Sequence, residues 1–195
     1  MIGPWSPLVV AFALSLAVLA ACGRSAPTQF YTLRAMPPAS AIQAAPTVPI
    51  RIARVEVPGT LDRPEIVREQ ANNQVKVDDL SQWSAPLGQL MRTTLIEDLI
   101  KRLPNGRVVP TDAPKPAATV DVSVEIVAVH ETVGTLSIDV TWTQTRPSGE
   151  AGATTVQTLS LSAPLADRSN AAYAEALSQA MAQLADAIAA RLGGG

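Results

Sequence analysis

Two stretches of regular alternation between apolar and polar residues constrain the fold of this chain more than any other feature. Residues 120–128 place Val, Ile or Ala at every even position, and residues 136–142 repeat the pattern with Leu, Ile, Val and Trp. This period of two predicts strands with one buried and one solvated face. Turns at residues 133–134 and 147–149 join them to each other and to a third strand over residues 154–163. The sequence therefore predicts an antiparallel meander.

Two helices with an apolar face flank this meander. The first begins near Pro86 and ends at the Pro104-Asn105-Gly106 stop, and the second follows a cap at Asp167 or Ser169 and is rich in alanine. Alanines allow a helix to pack closely on a sheet. The apolar face of the first helix consists of Leu87, Leu90, Met91, Leu95, Ile96, Leu99, Ile100 and Leu103, and that of the second consists of Tyr173, Leu177, Met181, Leu184, Ile188 and Leu192.

Shorter strands are predicted at residues 30–33, 49–57, 65–69, 74–78 and 107–109. A change of apolar parity at residues 53–54 predicts a β-bulge there, and the proline-rich residues 35–49 predict an extended loop. The predicted fold class is α+β: an antiparallel β-sheet with two amphipathic helices packed on one face, preceded by a lipoprotein signal peptide.

The composition excludes several classes of function. The 195 residues suit a single domain, and 15 Lys and Arg against 17 Asp and Glu leave a net charge of -2, too balanced for a nucleic-acid-binding surface. One Cys and one His cannot supply a disulfide or a typical zinc site, and no glycine-rich phosphate loop is present. We therefore predict no cofactor, no metal and no nucleic-acid partner.

The N-terminal segment indicates export and lipidation. The apolar run over residues 8–21 is shorter than the roughly 20 residues that span a bilayer, and it fits the apolar core of a signal peptide. It ends in Leu19-Ala20-Ala21-Cys22, which is typical of a bacterial lipobox. Cleavage between Ala21 and Cys22 and lipidation of Cys22 follow. The alternative is a buried apolar helix ending in a free cysteine.

This interpretation divides the chain into a signal peptide (1–21), a lipidated tether (22–29), a folded domain (30–192) and a flexible glycine tail (193–195). Two or more acyl chains on Cys22, such as palmitate, would hold the protein stably on a membrane. The segment before the apolar run carries no Lys or Arg, which is a departure from the usual signal. Residue 23 is Gly, whereas Asp at this position favours retention in the inner membrane, so the outer membrane is expected.

The densest irregular segment, residues 57–67, is the candidate partner interface. Leu61, Asp62, Arg63 and Pro64 form a corner that either holds itself together by turn hydrogen bonds or contacts a partner. Trp83 is either part of the core or an anchor of the same interface.

No residue of the chain is predicted to be catalytic. His130 continues the even-numbered apolar face of its strand, as a rim or core histidine, and no activated Ser or Cys motif accompanies it. The acidic pairs Asp78-Asp79, Glu97-Asp98 and Asp62/Glu65 are expected to be solvated surface charges.

These motifs resemble the ABC-type transport auxiliary lipoprotein family, the group that includes paraquat-inducible protein C. The resemblance is carried by Phe30-Tyr31-Thr32-Leu33 after the lipobox, Leu61-Asp62-Arg63-Pro64-x-Ile66-Val67, Trp83-x-x-Pro86-Leu87 and the alanine-rich final helix. It covers about residues 30–192.

The resemblance implies a non-enzymatic envelope lipoprotein that works with a periplasmic MCE-domain protein and its permease. Such systems move phospholipid or other hydrophobic molecules between the inner and outer membranes, and some relatives assemble as homo-oligomeric rings. Two other readings stay open: a structural or assembly adaptor for outer-membrane biogenesis, and an envelope hydrolase that uses His130.

Overall fold

The computed structural model describes residues 26–39, 48–70, 74–104, 106–147 and 154–193. These residues form seven strands and two helices in the order β1-β2-β3-β4-α1-β5-β6-β7-α2. The strands are β1 (Gln29–Tyr31), β2 (Ile50–Glu56), β3 (Glu65–Gln70), β4 (Gln74–Trp83), β5 (Val120–Thr132), β6 (Thr135–Thr145) and β7 (Thr154–Pro164), and the helices are α1 (Leu87–Arg102) and α2 (Asn170–Gly193).

The strands lie in two sheets, whereas the sequence analysis placed them in one. A four-stranded sheet has the order β2-β5-β6-β7, and a three-stranded sheet has the order β1-β4-β3. Hairpin neighbours pair antiparallel, but β1 pairs with β4 and β2 pairs with β5 in parallel. The α+β class, the mostly antiparallel pairing and the two helices packed against the sheets are confirmed.

Three register shifts interrupt the pairing of the described strands, and two of them determine which side chains of the four-stranded sheet face the core. The predicted bulge in β2 is confirmed, since the register against β5 shifts between Ile52 and Arg54. A second register shift lies between Ile126 and Ala128 of β5. It moves Val129 into the core and turns His130 outward, so the placement of His130 on the apolar face was wrong.

The helices cover the sheets with the predicted faces, with one exception. Ser169 caps α2, because its Oγ accepts the N–H of Ala172 at 3.1 Å. In α1, Ile100 was assigned to the apolar face but is 55% exposed. Neither described helix combines the length and the apolar character that crossing a bilayer requires. The predicted strand at residues 107–109 is reduced to one bridge between Val108 and Ile50.

A buried charge cluster ties the segment after β1 to both helices. Arg102 of α1 is fully buried and donates to Asp98, to Asp186 of α2 and to the carbonyls of Met36 and Ala182. Asp98 accepts the Met36 N–H at 2.7 Å. The expectation that Asp98 is a solvated charge was therefore wrong. We call residues 33–37, held in this way across α1 and α2, the strap.

Candidate functional site

The corner predicted as a partner interface is built by backbone hydrogen bonds. The Pro58 carbonyl accepts from the N–H groups of Leu61 and Asp62 at 2.8 and 3.1 Å, which closes a tight turn. The side chain of Leu61 is buried and anchors the turn to the core. The Pro64 carbonyl then accepts the N–H of Trp83 at 2.8 Å, which brings the end of β4 beside the corner.

A cleft opens where the corner meets the start of α1. Its volume is about 220 Å³, and it is lined by Asp62, Arg63, Pro64, Trp83, Ala85 and Pro86. Four of the five predicted interface residues thus surround one cleft, and the fifth, Leu61, lies buried in the core. Ala85 and Pro86 were not among the predicted interface residues, although Pro86 belongs to the Trp-x-x-Pro-Leu motif.

Trp83 forms a wall of this cleft while packing in the core. It is only 4% exposed, and its ring centroid lies 6.2 Å from that of Tyr173 on α2. Burial raises the pKa of Tyr173. The tryptophan therefore fixes the shape of the cleft and offers little surface of its own to a partner.

The rim of the cleft carries charge of both signs. Arg63 Nε donates to Glu65 Oε2 at 2.8 Å, and this hydrogen bond lowers the pKa of Glu65. Asp62 is exposed, and its carboxylate makes no hydrogen bond or ion pair within the part of the chain that the structure describes. The side chains of Asp62 and Arg63 do not hold the turn together, because the turn bonds come from the backbone. Both charged groups are accessible to a partner.

His130 lies at the junction of the two sheets and away from this cleft. Its Nδ1 is 3.1 Å from Glu69 Oε2 of β3, and its Nε2 is 3.7 Å from Asp139 Oδ2 of β6. Among the described residues, both polar contacts of the ring are to carboxylates, and none is to a hydroxyl that the ring could activate. Over the described ranges, no group of three or more His, Cys, Asp or Glu side chains is placed to hold a metal ion.

The charge cluster beneath the strap was missed by sequence reasoning. Asp98 and Arg102 are four residues apart on one helix, and Asp98 lies three residues after Leu95 and seven after Met91, on the buried face. That spacing is the signal that could have revealed them. Burial raises the pKa of Asp98, even though Arg102 opposes the shift.

Cys22 and the cleavage position after Ala21 lie outside the described residues. The strand that follows them, β1, is described and pairs in parallel with the end of β4. The described chain therefore enters the domain at the edge of the three-stranded sheet.

The described residues define an α+β domain with a surface cleft at one corner and an apolar core that joins both sheets to the helices. Its sequence identifies its family. The chain belongs to the ABC-type transport auxiliary lipoprotein component family, whose model matches residues 31–189. It is thus an auxiliary lipoprotein component of ABC-type transport, anchored in the cell envelope.

Solved structures show the same fold. A protein whose crystal structure is described as that of an uncharacterized protein is 21% identical, with a TM-score of 0.69 over 85% of this chain and 98% of that one. A protein from Xanthomonas campestris is 15% identical, with a TM-score of 0.63 over 85% of this chain and 95% of that one. At these identities the likeness concerns the fold alone. No curated protein sequence matched the chain.

Proposed function

We propose that this protein is a non-enzymatic, lipid-anchored docking component of a system that moves phospholipid or other hydrophobic molecules between the inner and outer membranes. Its partner is a periplasmic MCE-domain protein that works with an ABC-type permease. The observation that carries the proposal is the match of nearly the whole folded domain to an auxiliary lipoprotein family of ABC-type transport.

The cleft at the corner supports docking as the role of this domain. The backbone of the corner is fixed by turn bonds and by Leu61, so a partner would meet a preorganised surface. Asp62 and Arg63 lie at the rim, where charges set the choice of partner and the rate of association. The proposed docking surface is the cleft together with these two side chains.

Reversing the rim charges should strongly weaken docking. We expect the Asp62→Arg, Arg63→Glu double variant to recover at least about tenfold less MCE-domain protein in a detergent pull-down, because misplaced like charges at an interface cost several kcal/mol. Two copies of the protein carrying different tags are expressed together in the same cells. Mass spectrometry of the eluate measures partner recovery and also detects pairing between copies.

The matched control reverses another exposed ion pair. Arg54 Nη1 lies 3.3 Å from Glu56 Oε1, and the two side chains are 65% and 55% exposed. The Arg54→Glu, Glu56→Arg variant should recover the partner at the wild-type level. Equal recovery with both double variants would place docking elsewhere, and absence of any MCE-domain protein from the wild-type eluate would refute the proposed partner.

Anchoring through Cys22 is the second part of the proposal. The lipobox-like residues 19–22 and membership in a lipoprotein family both support it. Because residue 23 is Gly and not Asp, we propose that the anchor lies in the outer membrane and the folded domain in the periplasm.

Removing the acylated thiol should release the protein from its membrane. We expect Cys22→Ala to lose most of its membrane fraction and to lack the acyl mass that the wild-type N-terminus carries, since the short apolar run alone is a weak anchor. Sucrose-gradient separation of inner and outer membranes followed by mass spectrometry measures both. A Gly23→Ala variant, which keeps the thiol, is the control, and a wild-type N-terminus without acyl mass would refute the anchor.

The edges of the four-stranded sheet bear on self-association. Helix α1 covers the β2 edge. Its Arg92 donates to the Ile52 carbonyl, and its Gly88 lies so close to β2 that an added Cβ would be 3.0 Å from the Val55 carbonyl oxygen. β7 is the other edge among the described strands, and its eleven residues carry no charge and no register shift against β6. Gln183 of α2 donates to its Ser162 carbonyl at 2.8 Å, so the part of β7 before Ser162 is the part proposed to pair. We propose β7 as an edge used in a homo-oligomer, which the two-tag pull-down tests.

A further inference from the structure

An exposed aromatic side chain lies close to the proposed membrane anchor. The chain has two phenylalanines, and Phe30 is the one that remains after the signal peptide. It is 65% exposed, although a Phe side chain stabilises a fold most when it is buried.

A second apolar side chain extends this surface. Phe30 is paired with Gln82 of β4, and Leu80 lies two residues before Gln82, where the register of β4 against β3 shifts. The buried Ser81 and Trp83 alternate with Leu80 and Gln82, which leaves Leu80 on the exposed side with Phe30. Leu80 is 45% exposed. Phe30 and Leu80 together form what we call the β1 patch.

The backbone beneath the β1 patch is fixed in this orientation. β1 pairs with β4, and the Ser84 N–H donates to the Tyr31 carbonyl at 2.8 Å. The strap that follows is held by Arg102 and Asp98. Because the chain is held on both β4 and the helices, Phe30 cannot turn into the core without breaking these bonds.

The length of the tether limits how far the β1 patch can be from the anchor. Seven residue steps separate Cys22 from Gln29, which span at most about 25 Å when fully extended. A short tether holds the patch near the bilayer at a high effective concentration, so a contact that would be weak between free partners is populated. Because the proposed anchor lies in the membrane, a lipid surface is always within reach of the patch.

We infer that Phe30 and Leu80 of the β1 patch insert into the lipid interface beside the acyl anchor and hold the three-stranded sheet against the membrane. This inference rests on the proposed anchoring through Cys22. This insertion would fix the orientation of the domain on the membrane, because the turn between β5 and β6 lies at the end of the domain opposite the patch. Arg68, which pairs with Lys76 in β4, binds Glu131 near that turn, whereas Gln82 pairs with Glu65, three residues before Arg68 on β3 and about 10 Å away along the strand.

The experiment places a probe at each end of the lipidated protein. Once Cys22 is a thioether, Phe30→Cys and Leu80→Cys each introduce a single free thiol for a polarity-sensitive fluorophore. The Val133→Cys control labels a turn residue that is 94% exposed at the far end. Vesicles of phosphatidylcholine and phosphatidylethanolamine contain lipids with a nitroxide near the headgroup. Zwitterionic lipids are used because Asp79, beside Leu80, would repel an anionic surface.

We expect the probes at residues 30 and 80 to be quenched about twofold or more by the nitroxide lipids, with emission shifted to the blue, and the probe at residue 133 to be unaffected. Equal, water-like emission at all three positions would overturn the inference. Shielding of residue 30 that arises only when the MCE-domain protein is added would also overturn it, since the patch would then be a protein contact.

Labelling of the wild-type protein separates the two levels of the proposal. If the wild type takes up the fluorophore, Cys22 is a free thiol and the proposed anchor itself fails. If the wild type stays unlabelled and residue 30 is not quenched, the anchor stands and only the contact of the β1 patch with lipid is refuted. Near-ultraviolet circular dichroism confirms that each variant keeps the native packing of Trp83 and Trp142.

Discussion

Replacing Arg102 by methionine should lower the free energy of unfolding by about 3–5 kcal/mol, the range for removing one partner of a buried ion pair. Arg102 and Asp98 are both fully buried, and the Oδ2 atom of Asp98 has no hydrogen-bond partner in the described residues. Loss of the guanidinium leaves this carboxylate without its cation. It also removes the donors that hold the Met36 carbonyl of the strap and the Ala182 carbonyl of α2.

The effect should depend on pH in a defined direction. Burial already raises the pKa of Asp98, and removing the cation raises it further. A carboxyl whose pKa is higher in the folded than in the unfolded state destabilises the fold when it is ionised, and the cost falls as the pH is lowered toward the folded pKa. The deficit of Arg102→Met should therefore be smaller at about pH 5 than at about pH 7.5.

Urea unfolding of the lipidated protein in detergent, followed by the fluorescence of the buried Trp83 and Trp142, measures these changes. Adding Asp98→Asn to Arg102→Met should recover part of the loss, because the fully buried carboxylate is then neutral and only Asp186, 30% exposed, still lacks its cation. Arg54→Met, which breaks the exposed pair with Glu56, is the control and should cost under about 1 kcal/mol. A loss for Arg102→Met as small as that of the control would show that the cluster does not hold the strap.

How much of this fold is predictable from the sequence depends on how local each signal is. The meander and the two helices follow from the apolar periodicity of the sequence, because that periodicity reflects local burial. The structure has these elements where the periodicity predicts them. The division into two sheets does not follow, because the parallel pairs of β1 with β4 and β2 with β5 join strands distant in sequence. No turn motif fixes such pairs.

His130 and Asp98 show the limits of reading side chains one at a time. A single bulge near Val127 reverses the parity of the rest of β5, and the even-numbered pattern gives no warning, since Val127 and Ala128 are both apolar. Asp98 is acidic and was assigned to the surface by its type. Its position on the helix, on the same face as Met91 and Leu95, correctly indicates that it is buried.

The candidate site was predictable in composition and only partly in geometry. The Leu-Asp-Arg-Pro and Trp-x-x-Pro segments each resemble a family motif, and the structure places them around one cleft through the Pro64–Trp83 backbone bond. That bond joins residues 19 positions apart, so spacing alone does not reveal it. The burial of Trp83 depends on Tyr173 of α2, which is more distant still.

The second large effect is expected at Arg68, a residue that connects the two sheets. Arg68 of β3 forms a two-pronged ion pair with Glu131 of β5, in which Nε donates to Oε1 at 2.8 Å and Nη2 donates to Oε2. Its Nη1 donates to the Arg168 carbonyl just before α2, and its guanidinium lies 5.1 Å from the ring centroid of Tyr173. One side chain thus joins both sheets and α2.

We expect Arg68→Met to lower the free energy of unfolding by about 2–4 kcal/mol, somewhat less than the change at Arg102, because the side chains of Arg68 and Glu131 retain 10% and 13% exposure. Arg68→Lys keeps the charge but loses the planar fork that matches a carboxylate and stacks on Tyr173, so its loss should be intermediate. Amide hydrogen exchange should accelerate in β3 and at the start of α2 before it does in β6, since Arg68 holds the first two together.

The control removes the neighbouring surface contact. Glu69 is bound to His130 at 3.1 Å with both side chains about half exposed, so Glu69→Gln should change the unfolding free energy by under about 0.5 kcal/mol. A double-mutant cycle of Arg68→Met with Glu131→Gln isolates the pair, and we expect a coupling of about 1 kcal/mol or more. If the cycle gives no coupling, the sheets are held together by the shared apolar core rather than by this ion pair. The three-stranded sheet would then keep its position on the four-stranded sheet without Arg68.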